Sequence, residues 1–386
     1  MEFSEDQKLT LSEMTLWFKK KEKPYLILAG YAGTGKTTLV TWWRKWLQER
    51  RKLRVAFVSY TGKAALVLKD SLRSSDSVFK GDYVGTIHSL LYSPLTNERE
   101  EIIGWEKKPL KEFNFDLIIL DEASMVDAQI WEDIRSIGIP ILAVGDHGQL
   151  PPISGQFNLL DKPDLKLEKI HRQAEDNPII YISELAREKG EIPSKKYADK
   201  VIKFDRTDSD SYGELDELLL TFDEQTLVLC GYNKTRVELN KSIRGMKGFD
   251  SPTPQVGDRL ICLRNNHKKQ IFNGQIGTLE KIGYLTEEAR TYEVEISFDT
   301  GQRYMGSVLA EQFGAEKPLN YTSQRRKTAE VDLFDFGYAT TVHKAQGSQA
   351  KRVILLEERF PRMDEQDWSK WLYTAVTRAQ EELYIF

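Results

Sequence analysis

The run Gly30-Tyr-Ala32-Gly33-Thr34-Gly35-Lys36-Thr37-Thr38 brings together the residue types needed to hold a polyphosphate. Glycines let successive backbone N–H groups turn inward around an anion, and the N-terminus of a following helix adds partial positive charge. Lys36 is spaced to reach the β- and γ-phosphates, and the Thr37 hydroxyl to ligate Mg2+. A second segment, Leu117-Ile-Ile-Leu-Asp121-Glu122, ends an apolar run on two carboxylates. A carboxylate at the end of a buried strand is costly unless paired. Mg2+ beside Thr37 supplies the pairing, which makes Asp121 the second metal ligand and leaves Glu122 to orient or activate an attacking water. Alone, an Asp-Glu after a strand reads equally well as a helix cap; with the upstream loop it reads as a hydrolytic pair. ATP and Mg2+ are the expected cofactors. Loop and carboxylates together specify a P-loop nucleotide hydrolase, a class that includes kinases, switches, motors and transporters.

These residues need a scaffold, and the apolar runs supply one. Tyr25-Leu-Ile-Leu-Ala-Gly, Val55-Ala-Phe-Val-Ser-Tyr, Leu117-Ile-Ile-Leu-Asp-Glu and Ile141-Leu-Ala-Val-Gly-Asp are continuous, β-branched and separated by helix-competent segments. That pattern predicts a parallel sheet covered on both faces. Residues 92–112 are polar and turn-rich and read as a small insertion. Thr226-Leu-Val-Leu-Cys, Val353-Ile-Leu-Leu and Leu383-Tyr-Ile-Phe predict a second parallel sheet. Between them, Gly257-Asp-Arg-Leu-Ile-Cys-Leu, Gly274-Gln-Ile-Gly-Thr-Leu and Thr291-Tyr-Glu-Val-Glu-Ile-Ser-Phe alternate and are bounded by turn residues, which predicts a small antiparallel barrel over 252–330. After the phosphate loop, Trp42 and Trp46 are four apart and are expected to share a core face, with Arg44, Lys45, Arg50, Arg51, Lys52 and Arg54 at the exposed end.

Composition excludes several classes. At 386 residues, with 40% hydrophobic and 30% charged residues, the chain is long enough for two or three cores and has a globular balance. No apolar run is long enough to span a bilayer. The acidic start lacks a signal-peptide pattern, so a cytoplasmic location in a bacterial or phage-infected cell is expected. Two cysteines, Cys230 and Cys262, cannot build a disulfide framework or a four-cysteine metal site and read as buried strand residues. A net charge of −4 argues against coating nucleic acid by bulk charge, while leaving a local basic groove open. Eight acids lie in residues 205–224, which read as a solvated helix and loop.

Five more segments narrow the class: Ser59-Tyr-Thr-Gly-Lys-Ala-Ala, Thr86-Ile-His-Ser-Leu-Leu, Gly145-Asp-His-Gly-Gln-Leu-Pro-Pro-Ile, Thr341-Val-His-Lys-Ala-Gln-Gly-Ser-Gln and Tyr373-Thr-Ala-Val-Thr-Arg-Ala. In this order and spacing the chain resembles superfamily 1 class B helicases of the RecD, Pif and Dda group, from Gln7 to Phe386. The resemblance implies two RecA-like domains, 1–170 and 171–386, with an ATP site in the cleft between them, a duplex-splitting pin at 92–112 and an SH3-like barrel at 252–330. It implies a nucleotide-sensing role for Gln149 and arginine fingers at Arg172 and Arg378, which neutralise charge as the γ-phosphoryl transfers. It places Gln7, His171 and Gly347 at the nucleotide; family members often carry Tyr where this chain has His171. It implies strand contacts from Thr61, Lys63, Thr86, His88, Thr341 and His343, and from Phe272 and Asn273 in the barrel. Small hydroxyls suit such contacts, since each gives one exchangeable hydrogen bond to a phosphate. Outside its motif each histidine would read as a core residue. Lys268, Lys269 and the Arg325-Arg326-Lys327 cluster lie near the barrel contacts, the cluster reading equally as solvated charge. Trp105 can stack on a parted base pair or pack against the first domain.

The expected activity is therefore ATP-dependent translocation along single-stranded DNA and unwinding of duplex DNA, with the 5′ to 3′ direction implied by resemblance alone. A translocase that does not unwind, or an RNA motor, stays open. Expected partners are single-stranded DNA, its junction with duplex and a single-strand-binding or replication protein. The working state is expected to be a monomer without membrane contact. From the length, no separate nuclease domain is expected.

Overall fold

The computed structural model describes residues 3–96, 102–152, 157–168, 177–266, 269, 271–286, 290–317, 319 and 331–386. The chain divides into two units, residues 1–180 and 181–386. In chain order the first contains α1 (Glu5–Lys20), β1 (Tyr25–Gly30), α2 (Lys36–Arg50), β2 (Val55–Ser59), α3 (Gly62–Ser74), β3 (Tyr83–Thr86), α4 (Ile87–Leu91), β4 (Tyr92–Thr96), β5 (Ile102–Lys107), β6 (Leu117–Asp121), α5 (Ala128–Arg135), β7 (Ile141–Gly145) and β8 (Leu165–Leu167). Six strands form one sheet in the order β3-β2-β6-β7-β1-β8, and every neighbouring pair is parallel.

Alternation along these strands fills two cores at once. Leu26, Leu28, Val55, Phe57, Leu117, Ile119, Leu142 and Val144 pack with α1, α2 and α3. Ile27, Ala56, Val58, Ile118, Leu120, Ile141 and Ala143 face the other way, onto α4 and α5. Both faces are apolar, so the runs read as continuous, and each buried aliphatic side chain contributes about 1.5–3 kcal/mol.

Helix α2 corrects two expectations. Its core stripe is Leu39, Val40, Trp43 and Leu47, so Trp43 is the tryptophan without solvent contact. Trp46 sits half-buried at the edge of that stripe, and Trp42 is 38% exposed with its ring 5.2 Å from Phe3. Arg44 is not part of an exposed basic end. It is fully buried, paired to Asp82 at 3.0 Å and lying over the Phe79 ring.

Within residues 92–112, β4 and β5 pair as an antiparallel hairpin, with Tyr92 opposite Lys107 at its root and Pro94 opposite Trp105. Residues 97–101 lie outside the described residues.

From α6 (Pro178–Lys189) the chain enters β9 (Lys195–Ala198), β10 (Val201–Lys203), α7 (Asp210–Leu220), β11 (Thr226–Cys230) and α8 (Asn233–Met246). It continues through β12 (Arg259–Cys262), β13 (Ile276–Ile282), β14 (Thr291–Phe298), β15 (Arg303–Leu309), β16 (Phe334–Phe336), β17 (Ala339–Thr341), β18 (Ala350–Leu355), α9 (Glu365–Val376) and β19 (Ala379–Ile385). A second six-stranded sheet runs β17-β11-β18-β19-β10-β9, parallel except for the β9–β10 edge. Between α8 and β17 lies a five-stranded antiparallel sheet, β15-β14-β13-β12-β16. An isolated parallel bridge from Val308 to Asp332 joins β15 to the segment leading into β16.

This sheet is not a loose appendage, because one core runs through both layers. Val228, Cys230, Leu239 and Ile243 pack in the same cluster as Leu260, Cys262, Leu279, Ile296 and Phe334. Both cysteines are buried, as expected, and burial pushes each thiol up to about 12. The acidic helix α7 is largely exposed, also as expected. Among the described residues no helix is long and apolar enough to cross a membrane.

Candidate functional site

Parallel strands deliver their carboxyl ends to one edge, where ligands bind in open α/β sheets. In the first unit, register sets Ser59 beside both Asp121 and Thr86, and Ala29 beside Gly145. The phosphate loop leaves β1 at Gly30, where a Cβ would lie 2.7 Å from Thr34 Oγ1 and 3.0 Å from the Leu167 Cβ. Gly33 and Gly35 take φ of 80° and 78°, the left-handed region that glycine adopts without strain. Thr34 is buried and donates its hydroxyl to the Tyr31 carbonyl at 2.8 Å. Ala32 is half-buried, while Thr37 and Thr38 are exposed on the first turn of α2. Lys36 opens that helix, and its ammonium donates to the carbonyls of Gly30 at 2.6 Å and Tyr31 at 2.9 Å. The cation is thus held over the loop by neutral oxygens, which a phosphate would outbid.

Asp121 ends β6 and accepts the Glu122 N–H at 3.0 Å. Burial and the neighbouring Glu122 carboxylate push its own carboxyl up to about 7, with the Lys36 charge working the other way. Glu122 itself has φ 53°, an uncommon conformation for a side chain with a Cβ and one concentrated at functional sites. Nearby strand ends carry buried polar atoms with no partner among the described residues: Ser59 Oγ, Ser124 Oγ and Gln149 Oε1. Gln149 is 6% exposed, and its amide nitrogen is 3.5 Å from Asp146 Oδ2. A left-handed glycine cradle, a lysine on neutral oxygens, a carboxylate driven upward in pKa and an orphaned amide oxygen fit a phosphate chain with a divalent cation. Thr37 and Asp121 are the residues suited to hold that cation.

Gln7 is buried, but both ends of its amide are occupied. It donates to the Thr34 carbonyl at 3.1 Å and accepts from the Ser4 N–H at 3.2 Å, closing the cap of α1. Gln7 thereby braces the phosphate loop. His171 and Arg172 lie outside the described residues.

The expected strand residues of this unit sit on helix starts. Thr61 caps α3 by accepting the Ala64 N–H at 3.1 Å, with Lys63 half-buried on the next turn. Thr86 is 3% exposed and caps α4 with Ser89. Its hydroxyl therefore fixes the turn that presents His88. The His88 ring lies 4.5 Å from Tyr92 and 5.3 Å, edge-on, from Trp105, and burial lowers its pKa. Trp105 is 39% exposed, lies opposite Pro94 in the hairpin and packs edge-on against His88 of α4.

In the second unit, Thr341 ends β17 and is buried, while His343 is half-buried 6.4 Å from the Phe360 ring, with its pKa lowered by burial. Gly347 takes φ 72° in the loop that follows. Arg378 is 3% exposed and donates to the Thr374 and Ser348 carbonyls and the Thr377 hydroxyl at 3.0–3.2 Å. Among the described residues it has no carboxylate partner, an expensive state for a buried cation that an anion would relieve. Phe272 is half-buried and Asn273 exposed, their N–H groups held by Gln275 and Asn265. Lys269 is committed to Asp332 at 2.7 Å. Lys268 and Arg325–Lys327 lie outside the described residues.

The sequence reading missed the contact of His147 with Tyr31, the orphaned Ser59 and Ser124 hydroxyls, and a clamp on the hairpin root by Asp133. Only the first had a visible signal, an aromatic residue in each of two loops that must lie near the same phosphates.

Sheet order, phosphate loop and paired carboxylates define a P-loop nucleotide-binding fold with RecA-like α/β layers. Residues 16–155 match the AAA domain family and residues 336–386 the UvrD-like helicase C-terminal domain family. The chain is 29% identical over 384 residues to the ATP-dependent RecD2 DNA helicase of Deinococcus radiodurans, covering 93% of this chain and 46% of that protein. It is 25% identical to the ATP-dependent DNA helicase Pif1 of Campylobacter jejuni, covering 85% of this chain and 82% of that protein. A solved structure of Bacteroides Pif1 bound to single-stranded DNA shares the fold with a TM-score of 0.57 at 17% identity, over 100% of this chain and 92% of that one. These matches make the chain similar to superfamily 1 helicases, the RecD and Pif1 proteins among them. It spans about half the length of its Deinococcus relative (46%).

Proposed function

We propose that the chain is an ATP-driven motor that moves 5′ to 3′ along single-stranded DNA and unwinds duplex DNA. The observation that carries the reading is the phosphate loop of the first unit, where Lys36 is held on the carbonyls of Gly30 and Tyr31 and lies near enough to the buried Asp121 for their charges to interact. Lys36 binds the β- and γ-phosphates, Glu122 orients the attacking water, Gln149 senses the γ-phosphate, and Arg378, with Arg172, neutralises charge in the transition state. Thr37 and Asp121 would hold Mg2+, which would supply Lewis-acid polarisation of the phosphoryl oxygens. Thr61, Lys63, Thr86, His88, Thr341 and His343 form or support the strand track, and the antiparallel sheet acts as an SH3-like module carrying Phe272 and Asn273. The motor works as a monomer in the cytoplasm, with single-strand-binding or replication proteins as partners.

Relatives named as DNA helicases, and a shared fold with a protein solved on single-stranded DNA, support this substrate class. The test has two parts. Single-stranded DNA should stimulate ATP hydrolysis several-fold more than RNA does, and duplexes with a 5′ tail should be unwound while those with a 3′ tail are not. Stimulation without unwinding of either duplex would leave a translocase, and preference for RNA an RNA motor.

A further inference from the structure

The root of the hairpin is gripped by one buried carboxylate. Asp133 lies on α5 and is only 5% exposed. Tyr92 and Lys107 are register partners at the base of β4 and β5, and both reach it: the Tyr92 hydroxyl donates to Oδ2, and the Lys107 ammonium pairs with Oδ1. Gln129, one turn earlier on α5, donates to the same Oδ1 at 3.0 Å. Burial alone would raise the pKa of this carboxyl, but the bonds from Lys107, Tyr92 and Gln129 hold it below the usual range.

The other end of this helix leads straight to the hydrolytic pair. Asp121 and Glu122 are followed by a single 3-10 turn, Ala123–Met125, and then by Asp127, which caps α5 by accepting the Ile130 N–H at 2.9 Å. Trp131 and Ile134 fix the helix in the core, and the Trp131 ring packs 5.2 Å from Tyr25, the first residue of the strand that ends in the phosphate loop. The Asp121–Glu122 turn is thus linked to α5 through one 3-10 turn and a capped start, and α5 holds the hairpin through both of its strands.

We propose that Asp133 is a positioning residue that couples the nucleotide site to the β4–β5 hairpin, so that hydrolysis is converted into strand separation. The inference rests on the helicase reading above. A charged acceptor shared by a register pair holds the angle of the hairpin, whereas a bond to one strand would leave it able to twist. Lys108, the next residue, adds a bond from its ammonium to the Ser89 carbonyl at 2.7 Å, anchoring the exit of β5 to the helix that carries His88.

The test compares the full chain with Asp133→Asn and Tyr92→Phe. Each is assayed for ATPase on single-stranded DNA and for base pairs unwound per ATP on a tailed duplex. Tyr92→Phe keeps the ring against His88 and removes only the hydroxyl, so it carries the test if Asp133→Asn does not fold. The expected result is ATPase within about twofold of the parent, with unwinding per ATP falling about tenfold for Asp133→Asn and less for Tyr92→Phe. Equal loss of both activities, or unchanged unwinding per ATP, would overturn the proposal by reducing Asp133 to a structural contact. If the parent chain itself neither hydrolyses ATP on DNA nor unwinds, the helicase reading fails. Amide exchange of β4 and β5 then decides the clamp separately: faster exchange in Asp133→Asn retains it, and unchanged exchange removes it.

Discussion

The rings of Tyr31 and His147 lie with centroids 4.2 Å apart, one in the phosphate loop and the other two residues before Gln149. Two loops that must respond to the same γ-phosphate are thereby joined by a side-chain contact. Aromatic pairs are worth about 0.5–1.5 kcal/mol, so Tyr31→Ala should lower kcat/KM for ATP roughly two- to tenfold, and Tyr31→Phe should leave it nearly unchanged. His147→Ala should cost about as much, and the double variant little more than either single one. Losses that simply add in steady-state ATPase would show that the rings do not act as a unit.

Lys36→Ala should abolish ATP turnover while leaving a folded protein. Among the described residues its ammonium bonds the Gly30 and Tyr31 carbonyls alone, so its removal costs the scaffold little. Substantial remaining ATPase, with unchanged circular dichroism, would refute the assignment of the site.

Asp82 accepts the Arg44 guanidinium and the N–H groups of Val55 and Phe79. Asp82→Ala strands a fully buried cation and two backbone donors, and should cost about 3–5 kcal/mol. Urea denaturation of the first unit's transition checks this; a midpoint shift equivalent to less than about 1 kcal/mol would mean that Arg44 finds water when its partner is gone.

Acid should weaken the protein through its histidines. Burial lowers the pKa of His343 below its ordinary 6.5, so between the folded value and 6.5 the unfolded chain binds more protons. Stability from this group is complete above about 6.5 and is lost as pH falls through that window. His88 acts in the same direction, its burial outweighing the raising influence of Asp127. The slope of urea midpoint against pH between about 5 and 7.5 should flatten in His343→Asn. An unchanged slope would place the His343 ring in water.

Strand affinity should fall gently with salt. The net charge is −4, part of the excess acid lies in residues 205–224, and Lys269 is already neutralised by Asp332. The proposed track relies on hydroxyls and a few bases, so the slope of log affinity against log salt should imply fewer than about ten ion pairs. A steeper slope would demand a basic face that the track lacks.

What was legible in the sequence followed from local chemistry. Continuous apolar runs gave β1, β2, β6 and β7 because parallel strands bury both faces, and the loop glycines announced their own backbone geometry. Short strands escaped: β3, β8 and β17 are three or four residues long and owe their place to neighbours already in the sheet. Helix α2 misled because three tryptophans compete for one stripe, and register against α1 decides that Trp43 wins. Gln7 and Thr86 show the limit for site residues. Their types were informative, but which group their polar atoms would bond depended on a partner visible only in the fold. Asp133 offered no local signal, since its meaning comes from a hairpin that starts 41 residues earlier.

The order of strands in the second sheet also sets a timetable for synthesis. β11 pairs with β17 and β18, more than a hundred residues downstream, and β10, paired early with β9, gains its other neighbour with β19, where Val201 meets Leu383. The first sheet needs nothing beyond Leu167. As the chain emerges from a ribosome, the ATP-binding unit can therefore close while β10 and β11 still expose apolar edges and wait for their neighbours. Such late-closing parallel strands are the segments most open to aggregation or chaperone capture. Slowing translation after residue 230 should lower the soluble yield of this protein more than slowing it before residue 170.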